Sequence, residues 1–177
     1  MRSPHAALAA LAGVVALVVL PGCTEQASRG AQAGGAAVRA AEGGCGGTPL
    51  LEGAKPKWTS PAGTDSLRVP YTLSDNGDVA AFLFGHPLQA REPEGYADKI
   101  LWVLRLPRGG QPLHITGRPL GADGPTFEVT EPADSGPGEI YPSYVVAPEP
   151  GCWHFTLRWN GHVDAIDLYY VAEREPA

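Results

Sequence analysis

Lysine is scarce in this chain of 177 residues, occurring only as Lys55, Lys57 and Lys99, and the formal charge is −6. With no basic patch or run, nothing attracts the phosphates of nucleic acid or grips an anionic bilayer surface. Methionine is present once, as Met1, so the thioether ligands that suit Cu(I) are missing from the rest of the chain. No apolar stretch reaches the roughly 20 residues of a spanning helix. The sequence also lacks a G-x-S-x-G nucleophile elbow and any C-x-x-C pair. What is abundant is Gly and Pro, 23 and 18 residues. They suit turns between short strands and work against long helices, which points to one all-β domain.

The first residues read as an export address. Arg2 and His5 precede an apolar run from Ala6 to Leu20, which ends in Leu20-Pro21-Gly22-Cys23. A short positive start, a short apolar middle and a small residue before the break are the layout of a secretory signal. The L-P-G-C end resembles the lipobox of bacterial lipoproteins, in which the cysteine sulfur receives diacylglycerol before cleavage. Pro21 departs from the Ala or Ser more usual there. The resemblance implies lipid on Cys23, two acyl chains for stable attachment, and a place on the extracytoplasmic face of the cell membrane. Ordinary signal cleavage and an uncleaved anchor are the alternatives.

Between Thr24 and Gly44 the only large apolar side chain is Val38, which is too little to fold alone. A helix over Ala36 to Ala41 would be under two turns and flanked by glycine, hence marginal. As a Gly-rich coil this stretch would span on the order of 25 Å. The expected organisation is therefore a signal over residues 1–22, a lipidated cysteine and flexible Gly/Ala-rich tether over 23–47, and a β-domain over 48–177.

With Cys23 assigned to lipid, Cys45 and Cys152 remain, and two is the number that can pair in an oxidising exterior. The bridge would close a loop of about 108 residues, worth roughly 4 to 5 kcal/mol on the chain-entropy model. Two separate thiols and a metal pair stay open as alternatives, although a metal or redox site would normally show closer spacing.

Eight apolar stretches bounded by Gly, Pro, Asn or Asp follow one another from Leu67 to Val171 and predict a β-sandwich or barrel. The sharpest signal is Asn160-Gly161, a two-residue hairpin turn. Setting Trp159 opposite His162 puts Trp153 across from Leu168 and Phe155 across from Ile166 on a core face. The other face then carries Cys152 opposite Tyr169, His154 opposite Asp167 and Arg158 opposite Val163, and is mixed and partly exposed. Slipping by one residue would reverse all of these assignments. Pro70, Pro112 and Pro142 are expected at strand starts, edges or bends.

Lys99-Ile-Leu-Trp-Val-Leu-Arg105, Tyr141-Pro-Ser143 and Pro148-Glu-Pro-Gly-Cys-Trp153 resemble small exported bacterial domains with immunoglobulin-like folds and no assigned activity. The likeness implies an antiparallel sandwich of about 7–9 strands, with Trp102 similar to the core tryptophan of that fold. Cys152 does not fit that fold's cysteine pattern.

Several chemistries compete with bland readings. Ser143, His154 and Asp167 are the residue types of a hydrolase triad, or an edge serine beside a surface His–Asp pair. His86, His114, His154 and His162 are candidate metal ligands, but His154 and His162 fall on opposite faces. Asp75, Asn76 and Asp78 form an oxygen-rich stretch that either contributes to a calcium site or is a hairpin turn. Trp58, Tyr141, Tyr144, Tyr169 and Tyr170 either make an aromatic binding platform or complete the core. The sequence reading is an envelope lipoprotein, not an enzyme, with no cofactor. Its sandwich binds another envelope protein or a glycan, and His154, Asp167 and Tyr169 are the proposed ligand surface. A small-ligand or metal carrier is the alternative, and a hydrolase a weaker one.

Overall fold

The computed structural model describes residues 39–91, 99–121 and 123–172. Residues 1–38, which include Cys23 and the stretches expected to be signal and tether, lie outside the described residues. Eleven strands occupy the described part: β1 (Arg39–Cys45), β2 (Thr48–Glu52), β3 (Tyr71–Leu73), β4 (Val79–Leu83), β5 (Leu88–Gln89), β6 (Lys99–Leu104), β7 (Leu113–Pro119), β8 (Phe127–Glu131), β9 (Ile140–Tyr144), β10 (Gly151–Trp159) and β11 (His162–Val171). They form a first sheet in the order β1-β2-β3-β4-β6-β9 and a second in the order β5-β11-β10-β7-β8. The expected sandwich is present. It has more strands than expected, and β5 joins β11 in parallel.

One expectation is corrected at the N-terminal side. The stretch read as tether up to residue 47 already contains β1, which pairs with β2 from Arg39 opposite Glu52 to Cys45 opposite Thr48. Its Ala- and Gly-rich sequence has little to bury, so sequence pattern does not reveal it. The backbone ladder satisfies its polar groups instead, and Cys45 is bonded to Cys152 with 5.7 Å between their Cα atoms.

The two sheets meet over a core whose largest fully buried side chains include Trp102, Trp153, Tyr141, Tyr170 and Phe155. Burying each such side chain is worth about 1.5 to 3 kcal/mol. The second sheet shows the alternation of a half-buried strand. In β10, Trp153, Phe155, Leu157 and Trp159 are buried while the intervening residues are not. The first sheet differs. All of β4 and nearly all of β6 are buried, because the far face is covered too. There Tyr71, Phe82, Leu101 and Val103 pack with Trp58, Leu67 and Val69, brought over the sheet by two 3-10 turns at Lys57–Ala62 and Thr64–Ser66. Leu67 and Val69, expected in a strand, belong to this cover.

The sheets are also tied by a buried carboxylate. Asp164, only 3% exposed, sits opposite Leu157 on the core-facing side of β11. Its Oδ2 accepts from Ser74 Oγ at 2.6 Å and from the Asp78 N–H at 3.3 Å. Its Oδ1 accepts from the N–H groups of Asn76 at 3.0 Å and Ala165 at 2.8 Å. Four donors compensate the desolvated charge. The same turn covers the open edge of β11, where the Asp75 N–H donates to the Ala165 carbonyl at 2.8 Å. Further along that edge the Asp167 N–H donates to Thr48 Oγ1 at 3.1 Å. An edge so occupied no longer offers a template for another chain.

Candidate functional site

The outer face of the second sheet is the polar face foreseen from the hairpin. The register holds pair by pair: Cys152 opposite Tyr169, His154 opposite Asp167, Thr156 opposite Ala165 and Arg158 opposite Val163. His154 Nδ1 donates to Asp167 Oδ1 at 2.8 Å. Both side chains are more covered than the sequence implied, at 20% and 12% exposure, and the β1–β2 turn lies against Asp167. Gly46 has φ +57, and a Cβ there would stand 2.2 Å from Asp167 Oδ2, so only glycine fits this turn. The hollow beside Thr48, His86, Asp167 and Tyr169 holds about 10 Å³, less than a ligand needs.

The other sequence candidates are dispersed. Ser143 is buried and accepts a hydrogen bond from Trp102 Nε1 at 2.7 Å in the core. His154 faces outward from the other sheet, so Ser143, His154 and Asp167 do not form a triad. In the Ser74–Asp78 turn, N–H and O–H donors converge on Asp164, the opposite of the oxygen cluster that calcium needs. The hairpin-turn reading holds, with Gly77 at φ +71. Tyr141 and Tyr170 are buried and donate to the carbonyls of Gln111 and Val145. Tyr144 and Tyr169 are exposed, at 60% and 43%, but on outer faces of different sheets, while Trp58 packs over the first sheet. These aromatics therefore share no platform. Among the described residues, no three His, Cys, Asp or Glu side chains gather for a metal, and no helix is long and apolar enough to cross a membrane.

The grouping that the sequence did not show lies at the other end of the same face. Pairing of β7 with β10 sets His114 beside Arg158, and pairing of β7 with β8 sets Thr130 beside His114. His114 Nδ1 and Thr130 Oγ1 are 3.1 Å apart. This row borders an open cleft of about 420 Å³ at the tip of the β10–β11 hairpin, lined by Gln111, His114, Arg158, Trp159, Asn160 and His162, with Pro112 and Val163 as apolar walls. The tip is pinned to the loop before β7, since Asn160 Nδ2 donates to the Pro107 carbonyl at 3.0 Å. The His162 ring rests against Trp159 with centroids 5.4 Å apart. Trp159 Nε1 is buried without a hydrogen-bond partner among the described residues.

No known family profile matches the chain, and no curated protein matches it in sequence. Among solved structures the chain is similar to the crystal structure of a putative lipoprotein from Bacillus anthracis, with a TM-score of 0.41, 14% identity, and coverage of 67% of this chain and 97% of that one. A likeness at that level carries no argument about architecture or activity.

Proposed function

We propose that this chain is an exported lipoprotein, held on the extracytoplasmic face of a bacterial membrane by lipid on Cys23, and that its sandwich is a binding or adaptor module without catalysis. The observation that carries the reading is the Cys45–Cys152 bond. It uses two of the three cysteines, suits an oxidising compartment outside the cytoplasm, and leaves Cys23 alone behind the apolar run in its L-P-G-C context. Two acyl chains there would hold the protein stably, whereas one would be marginal. The partner is another envelope protein or a glycan.

The test is expression in a bacterial host with a clickable fatty acid in the medium, followed by detergent phase partition. The wild-type chain takes up label and enters the detergent phase. Cys23→Ala takes up none and, once its signal is removed, stays in the aqueous phase. A processed Cys23→Ala chain that still partitions wholly with membranes overturns the anchor.

A further inference from the structure

The cleft at the β10–β11 tip differs in charge from the rest of the molecule. The chain as a whole is acidic, at −6, yet one arginine and two histidines line this cleft and no carboxylate does. Most described arginines are engaged elsewhere. Arg91 pairs with Glu149 and Arg105 with Asp78, and Arg108 donates to the Ile140 and Gly136 carbonyls. Arg158 makes no hydrogen bond or ion pair among the described residues. Its neighbour His114 is held through Nδ1 by Thr130, which leaves Nε2 for another partner. The Asn160 tether to Pro107 and the tilted contact of the His162 ring with Trp159 fix the far wall before any ligand arrives. In that wall the Trp159 indole N–H is buried without a partner among the described residues, a donor left uncompensated where most buried polar groups are paired.

We propose that this cleft binds an acidic sugar residue, a carboxylate or phosphate carried on a hydroxylated ring. The guanidinium of Arg158 offers a planar fork that matches an oxyanion in two parallel hydrogen bonds; the imidazole of His114, its ladder neighbour, adds an N–H donor beside it, and that of His162 adds another on the far wall. The amides of Gln111 and Asn160 supply donors and acceptors for ring hydroxyls. Pro112 and the exposed Val163 give an apolar wall for the C–H face of the ring. A volume of about 420 Å³ lies within the range of small-ligand sites and suits one such unit. The inference rests on the reading of the sandwich as a binding module and names its ligand class.

The experiment is calorimetric titration of the purified full-length chain in detergent with galacturonate, glucose 6-phosphate and glucose, beside sedimentation with phosphatidylglycerol vesicles. Both charged sugars bind saturably, and glucose does not. Arg158→Gln, at an exposed position that leaves folding intact, weakens them by about tenfold to a hundredfold, the loss expected for charge-assisted hydrogen bonds. Arg118→Gln, on the same face but away from the cleft, leaves them unchanged, and the NMR ring signals of His114 and His162 shift on binding while those of His154 do not. No saturable binding, equal binding of glucose, an unaffected Arg158→Gln, or binding to vesicles alone would each overturn the assignment. Because the titration does not depend on acylation, its failure with Cys23 labelling intact removes the cleft and spares the anchor.

Discussion

Asp164 gives the most direct test of how the two sheets are held together. Its carboxylate accepts four hydrogen bonds, two on each oxygen, in a position almost closed to water. In Asp164→Ala those donors lose their acceptor at once, but not equally. Ser74 Oγ lies 3.2 Å from the Val79 carbonyl and can turn its proton there, and the Asn76 amide sits in an exposed turn where water can replace the lost oxygen. The uncompensated part is the Asp78 and Ala165 N–H groups plus the vacated volume. At about 1 to 3 kcal/mol for a buried unsatisfied group, partly relieved by exposure, the total comes to about 3 kcal/mol. In a domain of this size that is a fall in Tm of roughly 10 °C. Asp164→Asn is milder. Its amide NH2, placed where Oδ2 stood, can donate to Ser74 Oγ while the serine donates onward, so only the Asp78 N–H is stranded, at about 1 to 2 kcal/mol. Urea unfolding followed by tryptophan fluorescence gives the ranking Asp above Asn above Ala. Ser74→Ala combined with Asp164→Ala costs less than the sum of the two. An Asp164→Ala protein within about 0.5 kcal/mol of wild type, the range of changes at ordinary surface positions, would refute the idea that this carboxylate ties the sheets.

Two further outcomes follow from the same geometry. Removing the bridge with Cys45→Ala and Cys152→Ala frees a loop spanning a separation of 107 residues and lowers stability by up to about 4 to 5 kcal/mol on the loop-entropy estimate; urea midpoints with and without reductant should differ in the wild type and coincide in the variant. Burial raises the carboxyl of Glu131 above its usual value of 4.5, so the folded state holds that proton more tightly than the unfolded chain, and charging it opposes folding. Glu131→Gln is therefore expected to unfold at higher temperature than wild type at pH 7, with the difference closing as the pH falls below the usual carboxylate range, and a gain that persists there would contradict the cause assigned.

The C-terminal hairpin was fully legible because one local signal, Asn160-Gly161, fixes the phase of nine residue pairs, and a period-two pattern then carries each residue to its face. The same register carries one more signal. It places Asp164 among core-facing residues, and a charge there demands partners, found here in a turn some 90 positions away. The covered far face of the first sheet was half visible: Val79–Leu83 and Ile100–Leu104 are unbroken apolar runs, as strands buried on both sides should be, but nothing in residues 57–70 announced which segment covers them. β1 was illegible because Gly and Ala leave no pattern, and β5 because two residues cannot show one. The cleft was missed for a different reason. His114 and Arg158 become neighbours only through the pairing of β7 with β10, a contact between distant segments that no hairpin signal fixes.

The Cys45–Cys152 bond also decides how the domain bears tension. If Cys23 is the fixed end, a pull on the fold enters through β1, and hydrogen-bonded edge strands yield by unzipping one pair at a time. Here the unzipping can run no farther than Cys45, after which the strain passes through sulfur into the start of β10. Residues 46–151 form a covalent ring that this route bypasses. A ligand gripped by the face that β10 helps to build would thus pull against the membrane along a short path of covalent bonds and one strand, leaving most of the sandwich unloaded.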